Sequence, residues 1–275
     1  MIPKEEIITT DRYMAIANQY PGMMRYIKMD ALVQGKPIQW RGQPHSASPA
    51  PIWITGHADQ GVDTSIYPRY KENCLVWFTV NKEYPAPNLH ALPLGITNDC
   101  NDTDIHPIYG NLDVMVEVMN TPRLSTEFMG NVYMNFSRWT YPAERNYVWN
   151  LFADKGWVTK GSHVPTLEGR KEFLQTIRNH RFVLAPRGNG VDTHRLWEAL
   201  YMGSIPIVQR HLALDEFQDL PIAWINDWSE VTPAWLDETY VRMTDPQVVA
   251  TYNMDKLRMS YWKSKITAAM KSLEN

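Results

Sequence analysis

Phe182-Val-Leu-Ala-Pro-Arg-Gly-Asn-Gly-Val-Asp-Thr-His-Arg-Leu-Trp-Glu-Ala-Leu-Tyr-Met-Gly-Ser-Ile-Pro-Ile-Val208 decides how this 275-residue chain is read. The apolar run Phe182 to Ala185 predicts a buried strand, Pro186 to Gly190 a tight loop and Asp192 to Met202 a helix. Gly203 is placed to cap that helix, and Ile205 to Val208 to form a second strand. Such a unit, with glycines in its loop, is a ready site for an anion. The loop N–H groups, the unpaired donors of the first helical turn and the positive end of the helix dipole all converge there.

The helix separates its side chains by face. Leu196, Ala199 and Leu200 share one side with Gly203, while His194, Arg195, Glu198 and Tyr201 cluster on another. An arginine in the first turn suits a diphosphate, and a carboxylate one turn later suits a pair of ribose hydroxyls. The competing reading is a solvated i,i+3 ion pair on a surface helix. The glycine loop directly ahead of the pair favours the ligand.

The pattern Pro-Arg-Gly-Asn-Gly-x-Asp-x-His-Arg-x-Trp-Glu-Ala-Leu-x-x-Gly-x-Ile-Pro-Ile, starting at Pro186, resembles the nucleotide-sugar-binding segment of exostosin-like glycosyltransferases. It is more distantly similar to that of α1,3-fucosyltransferases. Both groups have the GT-B architecture, two Rossmann-like α/β domains facing each other across a cleft. The similarity is strong from Arg181 to Arg210 and fades to a shared order of elements elsewhere. It implies a nucleotide-diphosphate sugar held by the C-terminal half, with Arg187, Gly188, Asn189, Gly190, Asp192 and His194 in the donor segment. By the same resemblance Arg195 lies near the phosphates, Glu198 lies near the ribose or sugar, and transfer inverts the anomeric centre. No metal and no cofactor beyond the co-substrate are expected. Asp102-Thr-Asp104 has the spacing of a metal-binding Asp-x-Asp, in a loop that this reading sets away from the donor.

Composition agrees with an enzyme of this kind. With 44% hydrophobic and 12% aromatic residues the chain buries a sizeable core, as one large domain or two small ones. A net charge of −3 gives no basic field for a polyanion, so nucleic acid is not expected as a partner. Cys74 and Cys100 are too few for a disulfide framework and read as reduced thiols. Met1 to Thr10 lacks the apolar core of a signal peptide, and no run approaches the length of a membrane span. The expectation is a soluble, cytoplasmic protein or the catalytic part of a longer one.

Strands alternate with helices along the chain. Residues 1–125 are expected to form a Rossmann-like acceptor-side domain, with strands at Ile52–Thr55, Leu75–Val80 and Leu89–Leu94. Thr10 to Met29 reads as a helical entry and Trp40 to Pro49 as a loop. The run Asn98 to Asp104 has no core-facing period and reads as a surface loop. Residues 126–275 form the expected nucleotide-sugar-binding domain, opening on a strand at Asn131–Ser137 and ending in a helix that is able to cross back. In GT-B enzymes the loop after this strand lies against the donor, so the resemblance adds Ser137, Arg138 and Arg145 to the diphosphate site; the competing reading for the two arginines is solvation at the surface.

Glycosyl transfer needs a base for the acceptor hydroxyl. Thr55-Gly-His-Ala-Asp-Gln-Gly-Val-Asp63 follows a predicted strand, at the carboxyl edge where open α/β sheets build their sites. His57, Asp59 and Asp63 are therefore the catalytic candidates; the competing reading is caps and turn formers. His90 and His106 have nothing around them to distinguish a working position. Two other functions fit the same donor segment: a sugar-nucleotide-binding protein without catalysis, and a sugar-nucleotide epimerase or hydrolase. A Walker-type nucleotide loop is absent.

Overall fold

The computed structural model describes residues 2–97, 106–123, 128 and 130–274. In chain order α1 (Thr10–Asn18) leads to β1 (Met24–Lys28), α2 (Met29–Gln34), β2 (Ile38–Trp40), β3 (Gln43–His45), β4 (Ile52–Gly56), the short α3 (Tyr67–Tyr70), β5 (Val76–Thr79) and β6 (Leu89–Ala91). Then follow α4 (Leu112–Asn120), β7 (Gly130–Met134), α5 (Pro142–Phe152), β8 (Val158–Lys160), α6 (Leu167–Arg178), β9 (His180–Leu184), α7 (His194–Met202) and β10 (Ile205–Gln209). The chain ends with β11 (Ala223–Ile225), α8 (Pro233–Thr244), the short α9 (Pro246–Val249) and α10 (Met259–Glu274).

The protein is a mixed α/β structure with two parallel sheets. One has the order β1-β4-β5-β6 and the other β11-β10-β9-β7-β8; β2 and β3 form a separate antiparallel hairpin. Strands covered on both faces read as near-continuous apolar runs, as the central strands β4 and β10 do. Alternation along each strand then feeds two cores. In β4, Trp53 points into a cluster with Ile27, Trp77 and Leu89, while Ile52 and Ile54 point to the opposite side. In β9, Phe182 and Leu184 join Val132, Ile207 and Trp228, while Val183 turns the other way. The side chains that turn inward from both sheets share one large cluster with the helices between them.

The terminal helix belongs to that shared cluster. Trp262 and Ile266 of α10 are fully buried in it together with Ile7, Ile8 and Tyr13. Glu6 accepts the Ser260 N–H at 2.9 Å, and the Tyr201 hydroxyl of α7 joins both ends of the chain by accepting Ile8 N–H and donating to the Leu257 carbonyl.

Two local expectations are corrected. The helical entry stops at Asn18, because Pro21 and Gly22 (φ +91°) break it, and Met24–Lys28 becomes an edge strand of the first sheet. Within Trp40–Pro49 the chain makes the second strand of a hairpin. Its turn residues Arg41 and Gly42 both have positive φ, the requirement of a type I′ turn, without the Asn-Gly or Asp-Gly that advertises one. The expected domain boundary at 125, Cys100, and the Asn98–Asp104 loop with its Asp-x-Asp lie outside the described residues. No helix among the described residues is long and apolar enough to cross a membrane.

Candidate active site

Numbered within its own half, the second sheet has the strand order 2-1-3-4-5, and the order reverses between β7 and β9. The carboxyl ends of strands at such a switch point are where open α/β sheets leave a crevice. A cleft of about 780 Å³ opens there, lined by Asn135, Phe136 and Ser137 after β7 and by Pro186, Gly188, Asn189 and Gly190 after β9. Its opposite wall comes from the first sheet, with Lys28, Asp30, His57 and Asp59 at the ends of β1 and β4.

Three arginines and one carboxylate organise the floor. Glu198 of α7 is buried, with Oε1 accepting from Arg170 at 2.5 Å and Oε2 from Arg195 at 3.1 Å. Burial alone would push this carboxyl up, but the two guanidinium groups overcome it and hold it at about 2. The i,i+3 pair therefore exists, buried rather than solvated, with a partner from α6 that sequence periodicity did not single out. Both Glu198 oxygens are engaged, so the residue first positions Arg170 and Arg195. Arg195 also donates to the Asn135 carbonyl and stacks 4.6 Å from the Phe173 ring centre.

Arg145 has a different environment. Its guanidinium donates to the carbonyls of Arg187 at 2.8 Å and Ser137 at 2.9 Å, and among the described residues no carboxylate lies within ion-pair distance. Burial first, and then the charge of Arg195, lower its pKa to about 10. The floor thus holds a desolvated cation beside a second one. Next to it α7 begins at His194 with no side-chain cap from Thr193. The His194 imidazole donates from Nδ1 to the Gly95 carbonyl at 2.8 Å, and burial pushes its pKa down against the opposing effect of that bond and of Glu198.

The glycine loop is clamped to the opposite wall. Asn81, at the end of β5, accepts the Asp192 N–H at 2.8 Å and donates to the Asp59 carbonyl at 3.2 Å; Asn189 donates to Asp59 Oδ2 at 3.1 Å. A Cβ on Gly190 would stand 2.7 Å from Asn81 Nδ2 and 2.9 Å from the Asp59 carbonyl oxygen, closer than real Cβ atoms pack. Asp192 uses Oδ1 for the Trp197 indole and Oδ2 for Leu94 N–H, both at 2.7 Å. It is a fully engaged strut between the walls rather than a group with free oxygens, and burial raises its pKa to about 7.

Three residues expected at the site lie outside the cleft lining. Asp63 accepts from Ser65 N–H, Ser65 hydroxyl and Ile66 N–H, a turn-forming role that also lowers its pKa against the effect of burial. Arg187 folds back on its own loop, donating to the Asn189 carbonyl and covering the Tyr141 ring. Arg138 donates to Asn146 and covers Trp149. His57 does reach the cleft, yet both ring nitrogens are bonded: Nδ1 to the Tyr26 hydroxyl and Nε2 to Asp11 Oδ1 at 2.8 Å. Asp11 also pairs with Arg41 from the hairpin, and Trp40 packs on the His57 ring. Asp59 is the exposed carboxylate of the three candidates. His106 lines the cleft and His90 does not.

A sequence profile of the RXYLT1 C-terminal domain matches residues 110–270, more than half of the chain. The chain belongs to the RXYLT1 C-terminal domain family. This is a glycosyltransferase family. The region shared with the family contains β7, Arg145, Arg170, the glycine loop, Arg195 and Glu198, whereas His57, Asp59 and Asp63 precede it. No curated protein is similar enough to this chain to count as a match.

Proposed function

We propose that this member of the RXYLT1 C-terminal domain family is a GT-B-type enzyme that transfers a glycosyl group from a nucleotide-diphosphate sugar to an acceptor hydroxyl. The observation that carries the reading is Arg145, a largely buried guanidinium bonded to carbonyl oxygens, beside Arg195 and the uncapped start of α7. On the floor three arginines face one carboxylate, Glu198. Arg145, with only the negative charge of Glu144 nearby, has no carboxylate within ion-pair distance among the described residues, so a diphosphate entering there meets cations able to pair with it. Two parallel sheets with a cleft at the carboxyl ends of their strands support the facing-domain arrangement, with residues 1–125 on the acceptor side and 126–275 on the donor side.

In this reaction the acceptor oxygen attacks the anomeric carbon with inversion while the bond from that carbon to the β-phosphate oxygen breaks. The electron pair leaves with the nucleoside diphosphate, where Arg145, Arg195 and the α7 N-terminus stabilise it, without a metal ion. The hydroxyl proton passes to Asp59, whose carboxylate is exposed in the cleft and held by Asn189. His57, with both nitrogens engaged, holds the shape of that wall.

The test is a thermal-shift panel of UDP, GDP, CDP and their sugar conjugates, with and without Mn²⁺, on wild type, Arg145→Met and Arg145→Lys. One nucleoside diphosphate should stabilise the wild type, fail on the methionine variant and act partially on the lysine variant. An equal shift on all three proteins would remove Arg145 from the site, and no shift on the wild type would remove the donor.

A further inference from the structure

Two non-glycine residues at neighbouring strand ends of the first sheet have left-handed backbones. His57, directly after β4, has φ +57°, and Asn81, just past β5, has φ +55°. A non-glycine residue held there costs about 1–3 kcal/mol and persists only where its surroundings over-determine it. Asp59 is caught between the two. It follows His57 by two residues, and its carbonyl accepts from Asn81 at 3.2 Å.

The surroundings of His57 come from three other elements, and its side chain is 5% exposed among them. Nε2 meets Asp11 Oδ1 of α1 at 2.8 Å, and Nδ1 meets the Tyr26 hydroxyl of β1. Burial pushes the Asp11 carboxyl up, but the bonds from His57 and Arg41 outweigh it and hold the group below its usual value, as a carboxylate. A carboxylate only accepts, which puts the imidazole proton on Nε2 and leaves Nδ1 to accept from Tyr26. Tyr26 is buried, and burial raises its hydroxyl well above the usual value, so it keeps the proton it donates. Arg41 closes the set from the hairpin turn. It pairs with Asp11 and lies 4.3 Å from the Trp40 ring centre, while Trp40 packs 4.5 Å from the His57 ring centre. Gly56 lets β4 pass close by: a Cβ there would stand 2.9 Å from the Tyr26 hydroxyl oxygen. A ring gripped at both nitrogens and on one face cannot turn, and the backbone that carries it is fixed with it.

We infer that Tyr26, Asp11 and His57 are positioning residues for glycosyl transfer: they hold residue 57 in its left-handed turn and so aim the Asp59 carboxylate into the cleft. The inference rests on the glycosyltransferase reading and on Asp59 as the base. Asn81 on the Asp59 carbonyl and Asn189 on Oδ2 complete the hold. A base works only within hydrogen-bond reach of its proton, and a misplacement of about 1 Å costs on the order of 100-fold in rate. Asp11, Tyr26, Arg41 and His57 all precede residues 110–270, so membership of the family assigns them nothing.

The experiment is a mutant cycle on the full chain, read as nucleoside diphosphate released from UDP-, GDP- and CDP-sugars with water or glycerol as the hydroxyl acceptor. Tyr26→Phe and Asp11→Asn should each lower kcat about 10- to 100-fold, with KM for the donor changed less than about two-fold. Added to Asp59→Asn, neither should lower kcat further, because both act through that carboxylate. His57→Gly removes the backbone cost together with the ring; it should fold and lose kcat to the same extent. Losses that multiply on the Asp59→Asn background would overturn the inference, as would a loss confined to KM or full activity of His57→Gly. Hydrogen exchange at residues 57–60 reads the hold without turnover, and should be faster in Tyr26→Phe than in wild type; equal exchange would also overturn it. A wild type that is stabilised by a nucleotide yet releases none from any conjugate would remove Asp59 as the base, and the inference with it. If no nucleotide stabilises the wild type while exchange still rises in the variants, the donor reading fails, and what survives is the hold on Asp59 without its link to transfer.

Discussion

Asn81 accepts the Asp192 backbone N–H at 2.8 Å from a left-handed backbone position, φ +55°. One buried amide thereby ties the end of β5 to the loop that precedes α7, and its other half bonds the Asp59 carbonyl. Replacing it removes buried hydrogen bonds and leaves a Cβ at positive φ without the polar side chain that makes this conformation tolerable. Asn81→Ala should cost about 2–4 kcal/mol of stability in urea unfolding. Asn81→Gly should cost about 1 kcal/mol less, since glycine adopts positive φ freely. Identical losses would eliminate the backbone part of the argument.

The neighbouring contact predicts an opposite kind of damage. Gly190→Ala inserts a methyl group between Asn81 and the Asp59 carbonyl and forces the two walls apart. Overpacking of this kind costs about 1–3 kcal/mol and should also weaken nucleotide binding. Gly156→Ala, with open space around its Cβ and an ordinary φ, serves as the control and should leave the melting temperature unchanged. A Gly190→Ala protein as stable as that control would show that the loop yields easily.

Acid should weaken the cleft through Glu198. Its carboxyl is held at about 2, below the usual 4.5. A carboxyl depressed by folding stabilises the native state at pH above its unfolded value, and that contribution is lost as pH falls through the folded value. It amounts to on the order of 3 kcal/mol at neutral pH. Unfolding free energies measured from pH 7 to pH 2 should therefore fall below pH about 4.5 in the wild type. Glu198→Gln should be less stable at pH 7, because it leaves two buried guanidinium groups without their carboxylate, and should lose less on acidification. Parallel pH curves for the two proteins would contradict this role.

Arg195→Ala removes a charge-assisted contact from the proposed diphosphate site and should cost on the order of 2–4 kcal/mol of nucleotide binding, read by titration calorimetry. Arg170→Met, which breaks the same Glu198 cluster from α6, should act on stability first and on nucleotide affinity less. A reversed order of effects would exchange the roles of the two arginines.

The strand–loop–helix–strand unit was legible because its signals are local. The Phe182–Ala185 run, the loop glycines and Gly203 at φ +73° each act within a few residues. The face of α7 was legible too, but its meaning changed: Tyr201, placed among polar neighbours by periodicity, is a buried link to Ile8 and Leu257. Arg170 was not legible, since nothing in α6 announces that its side chain meets a carboxylate 28 positions on. The same holds for Asp11, which reaches His57 across 46 positions, and for Asn81, which reaches Asp192 across 111. Asp63 shows a simpler ambiguity: an Asp two residues before a Ser reads alike whether it forms a turn or faces a ligand, and the structure bonds it in the turn.

The return of α10 to the first helix and strands bears on the order of events during synthesis. Trp262 and Ile266 fill the cluster around Ile7, Ile8 and Tyr13, so residues 7–13 wait for a segment about 250 positions later to complete their core. Contacts of such wide sequence separation close late and slow folding. A nascent chain stalled before residue 259 should accordingly be open to protease around residues 7–17 even where the second sheet already resists it.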